Sequence, residues 1–229
     1  MRPGLILFDI DGTLLLSGRA GLRAMTRAFD EAFGVPNGFE GMAFAGRTDA
    51  FLVSQALVAA GLPDTPDQHD RFRDAYVPLL AEEIQHPGTG HKGLMPGVRD
   101  LLEALGDVPE AYLALLTGNY REAAAIKLSH FEIFGHFEWG AFSDDSADRN
   151  ALVPIARERA ETYDVPAEAR DRIIVIGDTP HDVDCARCAG ARSIAVATGG
   201  FSIDQLRAAG ADEVLADLTD TEAVLALLG

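Results

Sequence analysis

Lysine is nearly missing from this chain of 229 residues: there are two, Lys92 and Lys127. Basic charge as a whole is thin, 19 residues against 36 acidic ones, for a formal net charge of -17. Such a surface repels phosphodiester backbones and anionic lipid, so nucleic acid and membrane surfaces are not expected partners. Cysteine is equally scarce, with Cys185 and Cys188 alone in "CARC". That spacing suits a redox pair or half a zinc site, but no second pair exists to close a structural zinc centre. The plainer reading is two small residues on a helix. No apolar run reaches the roughly 18 residues of a membrane span. The first apolar run, "GLILF", is too short and too soon followed by acid for a signal peptide, so the expected location is the cytosol.

What is present is apolar residues in short continuous runs, 48% hydrophobic overall. That suits one α/β domain with a modest insert, or two small domains sharing a cleft. Runs at 4–9, 111–118 and 172–178 read as buried parallel strands because they do not alternate. Further strands are expected at 138–144, 192–198 and 212–216. Helical patterns fall at 97–106, 120–129, 150–164, 181–189, 203–209 and 219–228. Strand and helix in alternation predict a three-layer, Rossmann-like parallel sheet. The rhythm breaks over residues 17–92, which show helical periodicity at 19–33, 49–60 and 67–85 and no convincing strand. The expectation is a core of residues 1–16 and 93–229 with an all-helical domain, 17–92, inserted after the first strand. The glycine-rich return, "HPGTGHKGLMPG", reads as a hinge.

In open parallel sheets ligands bind beyond the carboxyl ends of the strands, and there the apolar runs end in polar chemistry. The first ends in Asp9-Ile10-Asp11-Gly12-Thr13, the second in Thr117-Gly118-Asn119, and the third in Gly177-Asp178-Thr179-Pro180-His181-Asp182. The run at 138–144 leads to Arg149. Asp9 and Asp11 fall on one side of an extended segment. With Asp178 from a neighbouring strand they would repel one another unless protons or a cation intervene. Oxygen-only ligands favour Mg²⁺. Asp9 is a competent nucleophile toward phosphorus, and Asp11 is placed to protonate a leaving oxygen and then deprotonate water. Thr117 and Gly118 offer a hydroxyl and N–H groups at a helix start, and Arg149 offers a cation, for phosphoryl oxygens.

"DIDGT", "LLTGN" and "GDTPHD" in this order resemble the haloacid dehalogenase (HAD) superfamily, and within it the phosphoglycolate phosphatase-like branch. The resemblance covers nearly the whole chain, with the helical insert in the position of the family's cap. It implies Asp9 as nucleophile, Asp11 as general acid/base and Thr117 as phosphate ligand. It implies Mg²⁺ on Asp9, the Ile10 carbonyl and Asp178, with Asp11 beside them and Asp182 an indirect or water-mediated partner, although Asp182 could instead only cap or brace the following helix. It also implies a small phosphorylated substrate. Relatives usually carry a lysine just before the strand bearing the second acidic motif, and this chain does not. Arg149, in the loop beyond a strand end, is expected to take that role. Lys127 is the reserve, since it would have to stretch back along its helix from roughly 10 Å beyond the helix start.

The lysine shortage also argues against phosphonoacetaldehyde hydrolases, which form a Schiff base with a cap lysine, because residues 14–91 contain none. Asp11 argues against dehalogenation, where no leaving oxygen needs a proton. A sugar phosphomutase stays open, as does a non-catalytic phosphate-binding or regulatory protein on the same fold. In the insert, "FAGRTD" presents Arg47 and Thr48 as candidate substrate contacts, alongside Gly118 and Asn119 from the core. The competing reading of that stretch is a helix start capped by Thr48 with a solvated arginine.

Overall fold

The computed structural model describes residues 4–229. Residues 1–3, the start of the expected core segment 1–16, lie outside the described residues. The chain opens with β1 (Gly4–Phe8), every residue of which is buried. It pairs in parallel with β4 (Ala111–Leu116) on one side and β6 (Ile173–Gly177) on the other. A strand buried on both faces must be apolar throughout. Accordingly Ile6 and Phe8 pack into one cluster and Leu5 and Leu7 into another. Outside β4 lies β5 (Gly140–Ala141), and beyond β6 lie β7 (Arg192–Val196) and β8 (Glu213–Leu215). The order is β5-β4-β1-β6-β7-β8, every pairing parallel.

Helices cover both faces. α4 (Val98–Gly106), α5 (Arg121–His130) and α10 (Thr221–Leu228) pack with Ile6 and Phe8. α6 (Leu152–Arg159), α7 (Ala167–Arg170) and α8 (Pro180–Cys188) pack with Leu5 and Leu7. α9 (Ile203–Ala208) closes that layer over β7 through Leu206, Val183 and Ala195. This is the expected three-layer parallel core. Two elements are shorter than expected. β5 keeps two residues of 138–144, because Ser143 N–H turns to the Asn119 carbonyl at 2.9 Å and Phe142 N–H to Asp145 Oδ2 at 2.9 Å. The helix expected at 150–164 is three pieces: a 3₁₀ turn at Arg149–Ala151, α6, and a 3₁₀ turn at Ala160–Tyr163 that ends on Asp164 with φ 54°.

Between β1 and α4 the chain forms α1 (Ala20–Phe33), α2 (Asp49–Ala59) and α3 (Pro66–Glu83). α1 stops at Gly34, whose φ of 68° lets its N–H reach the Asp30 carbonyl at 2.7 Å. α3 starts on Pro66, which the first helical position tolerates. The three helices bury a cluster around Phe29, Phe39, Phe72 and Tyr76, which Tyr120 and Ala123 join from the core. Ring centroids there lie 5.6 Å apart for Phe72 and Tyr76, and 5.9 Å for Phe39 and Phe72. The chain enters and leaves this unit through β2 (Leu15–Ser17) and β3 (Lys92–Leu94), an antiparallel ribbon. No strand was expected there, since three residues carry no readable alternation.

Phe72 is fully buried and touches three other rings. Phe72→Ala is expected to destabilise the chain by about 3–5 kcal/mol, read as a lowered midpoint in urea denaturation followed by fluorescence.

Candidate active site

Adjacent parallel strands deliver Asp9 and Asp178 to the same sheet edge, each following the last residue of its strand. Asp9 N–H donates to the Ile176 carbonyl at 2.9 Å, which ties the two strand ends together. Carboxylate oxygens of Asp9, Asp178 and Asp182 lie within 4.8 Å of one another, and all three residues are buried. Burial pushes the Asp9 carboxyl up, with Arg149 opposing and the charges of Asp182 and Asp11 adding to the rise. Burial likewise drives Asp178 well above the usual carboxylate range, helped by Asp182 and Asp9.

Arg149 stands over this cluster. The 3₁₀ turn that carries it starts on Asp148, whose side chain accepts the Asn150 N–H. Its Nη2 lies 2.5 Å from Asp182 Oδ1 and 3.2 Å from Asp9 Oδ1, with the side chain 8% exposed. Its Nε is buried with no hydrogen-bond partner among the described residues. Asp182 is fully engaged. It forms a capping box with Thr179 at the start of α8, its Oδ2 accepting Thr179 N–H at 3.0 Å and the Thr179 hydroxyl at 2.7 Å.

The donor set fits a hard divalent cation. Asp9 and Asp178 offer oxygen alone, and their ionised forms need neutralising in this buried setting. The backbone also makes room for Asp178. A Cβ on Gly12, whose φ is 88°, would lie 2.4 Å from Asp178 Oδ2, and one on Gly199 would lie 1.7 Å from it. Two other expected ligands have partners within the chain. The Ile10 carbonyl accepts Leu14 N–H at 2.9 Å and Leu15 N–H at 3.1 Å within the loop. Asp11 stands outside the acidic cluster because a lysine holds it.

That lysine is Lys127. It sits two turns into α5, and helical side chains lean back toward the N-terminus. Its Nζ reaches Asp11 Oδ2 at 2.6 Å, Asp11 Oδ1 at 2.8 Å and Asn119 Oδ1 at 2.6 Å. Asn119 Nδ2 donates to Asp11 Oδ2 and to the Thr117 hydroxyl, both at 2.8 Å. The two cations therefore do not compete for one position: Arg149 lies at Asp9 and Lys127 at Asp11. Thr117 is completely buried beneath Asn119.

The helical insert closes the other side. Asp49 N–H donates to the Gly118 carbonyl at 2.6 Å, and Asp49 Oδ2 accepts Tyr120 N–H at 2.9 Å. Ala50 N–H donates to the Ser143 hydroxyl at 2.7 Å. Contact is so close that a Cβ on Gly118 would lie 2.2 Å from the Arg47 carbonyl. Thr48 is buried and committed: its hydroxyl donates to the Ala147 carbonyl at 2.7 Å and accepts Phe51 N–H at 3.1 Å. It caps α2 and does not line the cavity, contrary to the substrate contact expected of it. Arg47 does line the cavity, exposed, with its guanidinium 4.9 Å from the centre of the Phe51 ring. The enclosed space, about 580 Å³, runs from Asp9, Asp11 and Asp178 past Gly118, Asn119 and Lys127 to α1, α2 and α3. Asp49 and Tyr76 line it too. Sequence reading passed over both, since an acid in the first turn of a helix and a tyrosine in an amphipathic helix are ordinary features.

The model of the haloacid dehalogenase-like hydrolases matches residues 6–196. The chain belongs to this family. Among curated relatives, the tyrosine-protein kinase PtkA of Mycobacterium tuberculosis is 28% identical over 199 residues. That alignment covers 86% of this chain and 63% of the kinase, so the chain spans under two thirds of that relative's length. A phosphoglycolate phosphatase of Mesorhizobium japonicum is 27% identical over 208 residues, covering 86% of this chain and 84% of the phosphatase. Among solved structures, a hydrolase from Pseudomonas syringae superposes with a TM-score of 0.69 at 24% identity over 99% of both chains. A HAD-like hydrolase is thus expected to carry its chemistry at the sheet edge just described.

Burial also pushes the Asp49 carboxyl up, to about 7, against Lys127 and the Tyr120 N–H. Asp9, Asp49 and Asp178 all have folded-state values above the unfolded value of 3.8. The folded chain therefore binds more protons than the unfolded one across that interval, and stability is lost as pH rises through the folded values. With chelator present, the melting temperature is expected to rise as pH is lowered from about 8.5 to about 6.5 at constant ionic strength. Calorimetry showing the opposite slope would contradict this assignment of the buried carboxyls.

Proposed function

We propose that this chain is a Mg²⁺-dependent phosphomonoester hydrolase of the cytosol, acting on a small phosphorylated metabolite through an aspartyl-phosphate on Asp9. The observation that carries the reading is the separate cation beside each aspartate, Arg149 at 3.2 Å from Asp9 and Lys127 at 2.6 Å from Asp11. Two neighbouring carboxylates held by different partners are suited to different tasks. Asp9, beside Asp178 and Arg149, is the nucleophile: its oxygen bonds to phosphorus as the ester P–O bond breaks. Asp11 gives its proton to the leaving oxygen. Water then attacks phosphorus, Asp11 takes its proton, the bond to Asp9 breaks and inorganic phosphate departs.

Thr117, Gly118 and Asn119 hold phosphoryl oxygens at the start of the segment leading into α5, with the free Nε–H of Arg149 as a further donor. Asp9 and Asp178 would hold Mg²⁺, which neutralises charge on the nucleophile and the phosphoryl group when bound. Residues 17–92 act as the cap that excludes water, over a core of 1–16 and 93–229. Arg47 at the cavity wall steers the anion. The likeness to a phosphoglycolate phosphatase supports phosphoryl chemistry, and a kinase relative is compatible with it.

Hydrolysis of a chromogenic phosphate ester is expected to need Mg²⁺ and to stop with chelator. Asp9→Asn is expected to lower kcat by at least about a thousandfold. Lys127→Met and Arg149→Met are each expected to lower kcat by about a hundredfold or more. Turnover by Asp9→Asn at the parent rate, or by the parent in chelator, would remove the reading. As a readout apart from activity, Mg²⁺ is expected to raise the melting temperature more at about pH 8.5 than at about pH 6.5, because protons and metal contend for the same carboxylates.

A further inference from the structure

The proposed chemistry occupies one end of the cavity and leaves the rest unassigned. Pockets of about 300–1,000 Å³ hold drug-sized ligands, so about 580 Å³ is more than a two-carbon ester fills. Leu22 and Met25 of α1, Met42 and Phe44 of the connecting loop, and Leu52 of α2 make this remaining wall largely apolar. Besides the buried Ser17, two polar groups of the helical insert interrupt it, each more than nine-tenths buried: Asp49 at 8% and Tyr76 at 1% exposure.

Each has hydrogen-bonding capacity left over. Asp49 uses Oδ2 for Tyr120 N–H, while its Oδ1 accepts no hydrogen bond from the described residues. The Tyr76 hydroxyl forms no hydrogen bond with the described residues either. Neither oxygen is sealed off from solvent, so a ligand in the cavity can reach both. Both stand near the chemistry. The Tyr76 hydroxyl and the Lys127 ammonium lie 3.7 Å and 3.6 Å from one point above Gly21, and Lys127 is bonded to Asp11. Asp49 feels the charges of Lys127 and Asp11.

The charge at this wall is unfavourable to an acid. Lys127 already meets both Asp11 oxygens and Asn119. Arg19 and Arg47 are exposed at the cavity mouth. In a two-carbon acid ester the carboxylate is two bonds from the ester oxygen, so with the ester oxygen at Asp11 it would lie close to the Asp11 carboxylate, whose lysine partner is already taken. A neutral group with a hydroxyl at that position would instead donate to Asp49 and meet Tyr76.

We propose that Asp49 and Tyr76 form a leaving-group subsite that selects phosphoesters of neutral, hydroxylated groups larger than two carbons and rejects those bearing a carboxylate next to the ester carbon. This rests on the phosphatase reading above and sharpens it, because the relative named for phosphoglycolate acts on such a carboxylate ester. A single side chain that hydrogen-bonds a substrate hydroxyl discriminates far better than an apolar wall does.

The test is the ratio of kcat/KM for glycerol phosphate to kcat/KM for phosphoglycolate, with Mg²⁺, measured in the parent, Asp49→Asn and Tyr76→Phe. Asparagine keeps an acceptor for Tyr120 N–H, and circular dichroism checks the fold of each variant. The parent ratio is expected to exceed about 10, and Asp49→Asn to lower it at least about tenfold, chiefly through KM. Tyr76→Phe, which keeps the ring packing, is expected to lower it about three- to tenfold. A parent that prefers phosphoglycolate, or a ratio unmoved in both variants, would overturn the subsite while leaving the phosphatase reading in place. No Mg²⁺-dependent turnover of these esters or of the chromogenic ester would remove both.

Discussion

Everything at this sheet edge depends on the cost of burying like charges together. Asp9, Asp178 and Asp182 meet within 4.8 Å in a region largely closed to water. Ionised carboxylates do not remain there unaided. The fold meets the demand with one arginine whose position is itself fixed by Asp182, and Asp182 is fixed by the first turn of α8. The cluster is thus locked to a helix start on one side and to β1 on the other. Protons neutralise such a cluster where no further cation does, which is why burial raises the Asp9 and Asp178 carboxyls.

The second constraint is the division between floor and wall. The floor comes from strand ends and the loops after them, whose places follow from parallel pairing of β4, β1 and β6. The wall comes from a separate set of helices, whose apolar cluster also takes in Tyr120 and Ala123 from the floor side. These helices meet the floor at the start of α2, where Asp49, Thr48 and Ala50 bond to Gly118, Tyr120, Ala147 and Ser143. Groups from the two parts therefore converge on one cavity although each part is specified by its own apolar pattern.

This explains what could be read in advance and what could not. The sheet was legible because fully buried strands such as "GLILF" have no other interpretation at that length. The aspartates were legible because they follow those strands. The reach of Lys127 to Asp11 is not legible in the sequence, because spacing along a helix gives backbone distance and not the backward lean of a long side chain. The hydrogen bonds of the Ile10 carbonyl are not legible in advance, because backbone direction in the tight "DIDGT" turn depends on which N–H groups it meets, here those of Leu14 and Leu15. Thr48 was read two ways, and capping accounts for its hydroxyl. Asp49 and Tyr76 gave no signal, since their significance lies in which oxygens stay unpaired after packing, a property of three dimensions alone.

The docking of α2 has a consequence for how such a chain can diversify. Three of its contacts with the sheet edge are donated by main-chain N–H groups, those of Asp49, Ala50 and Tyr120, and a main-chain donor survives almost any exchange of its own side chain. The cavity-facing Leu22 and Met25 of α1 form none of those three bonds. Mutation can therefore remodel the chamber's roof while the reactive carboxylates keep their spacing, and lineages sharing one hydrolytic centre can drift apart in the molecules they accept.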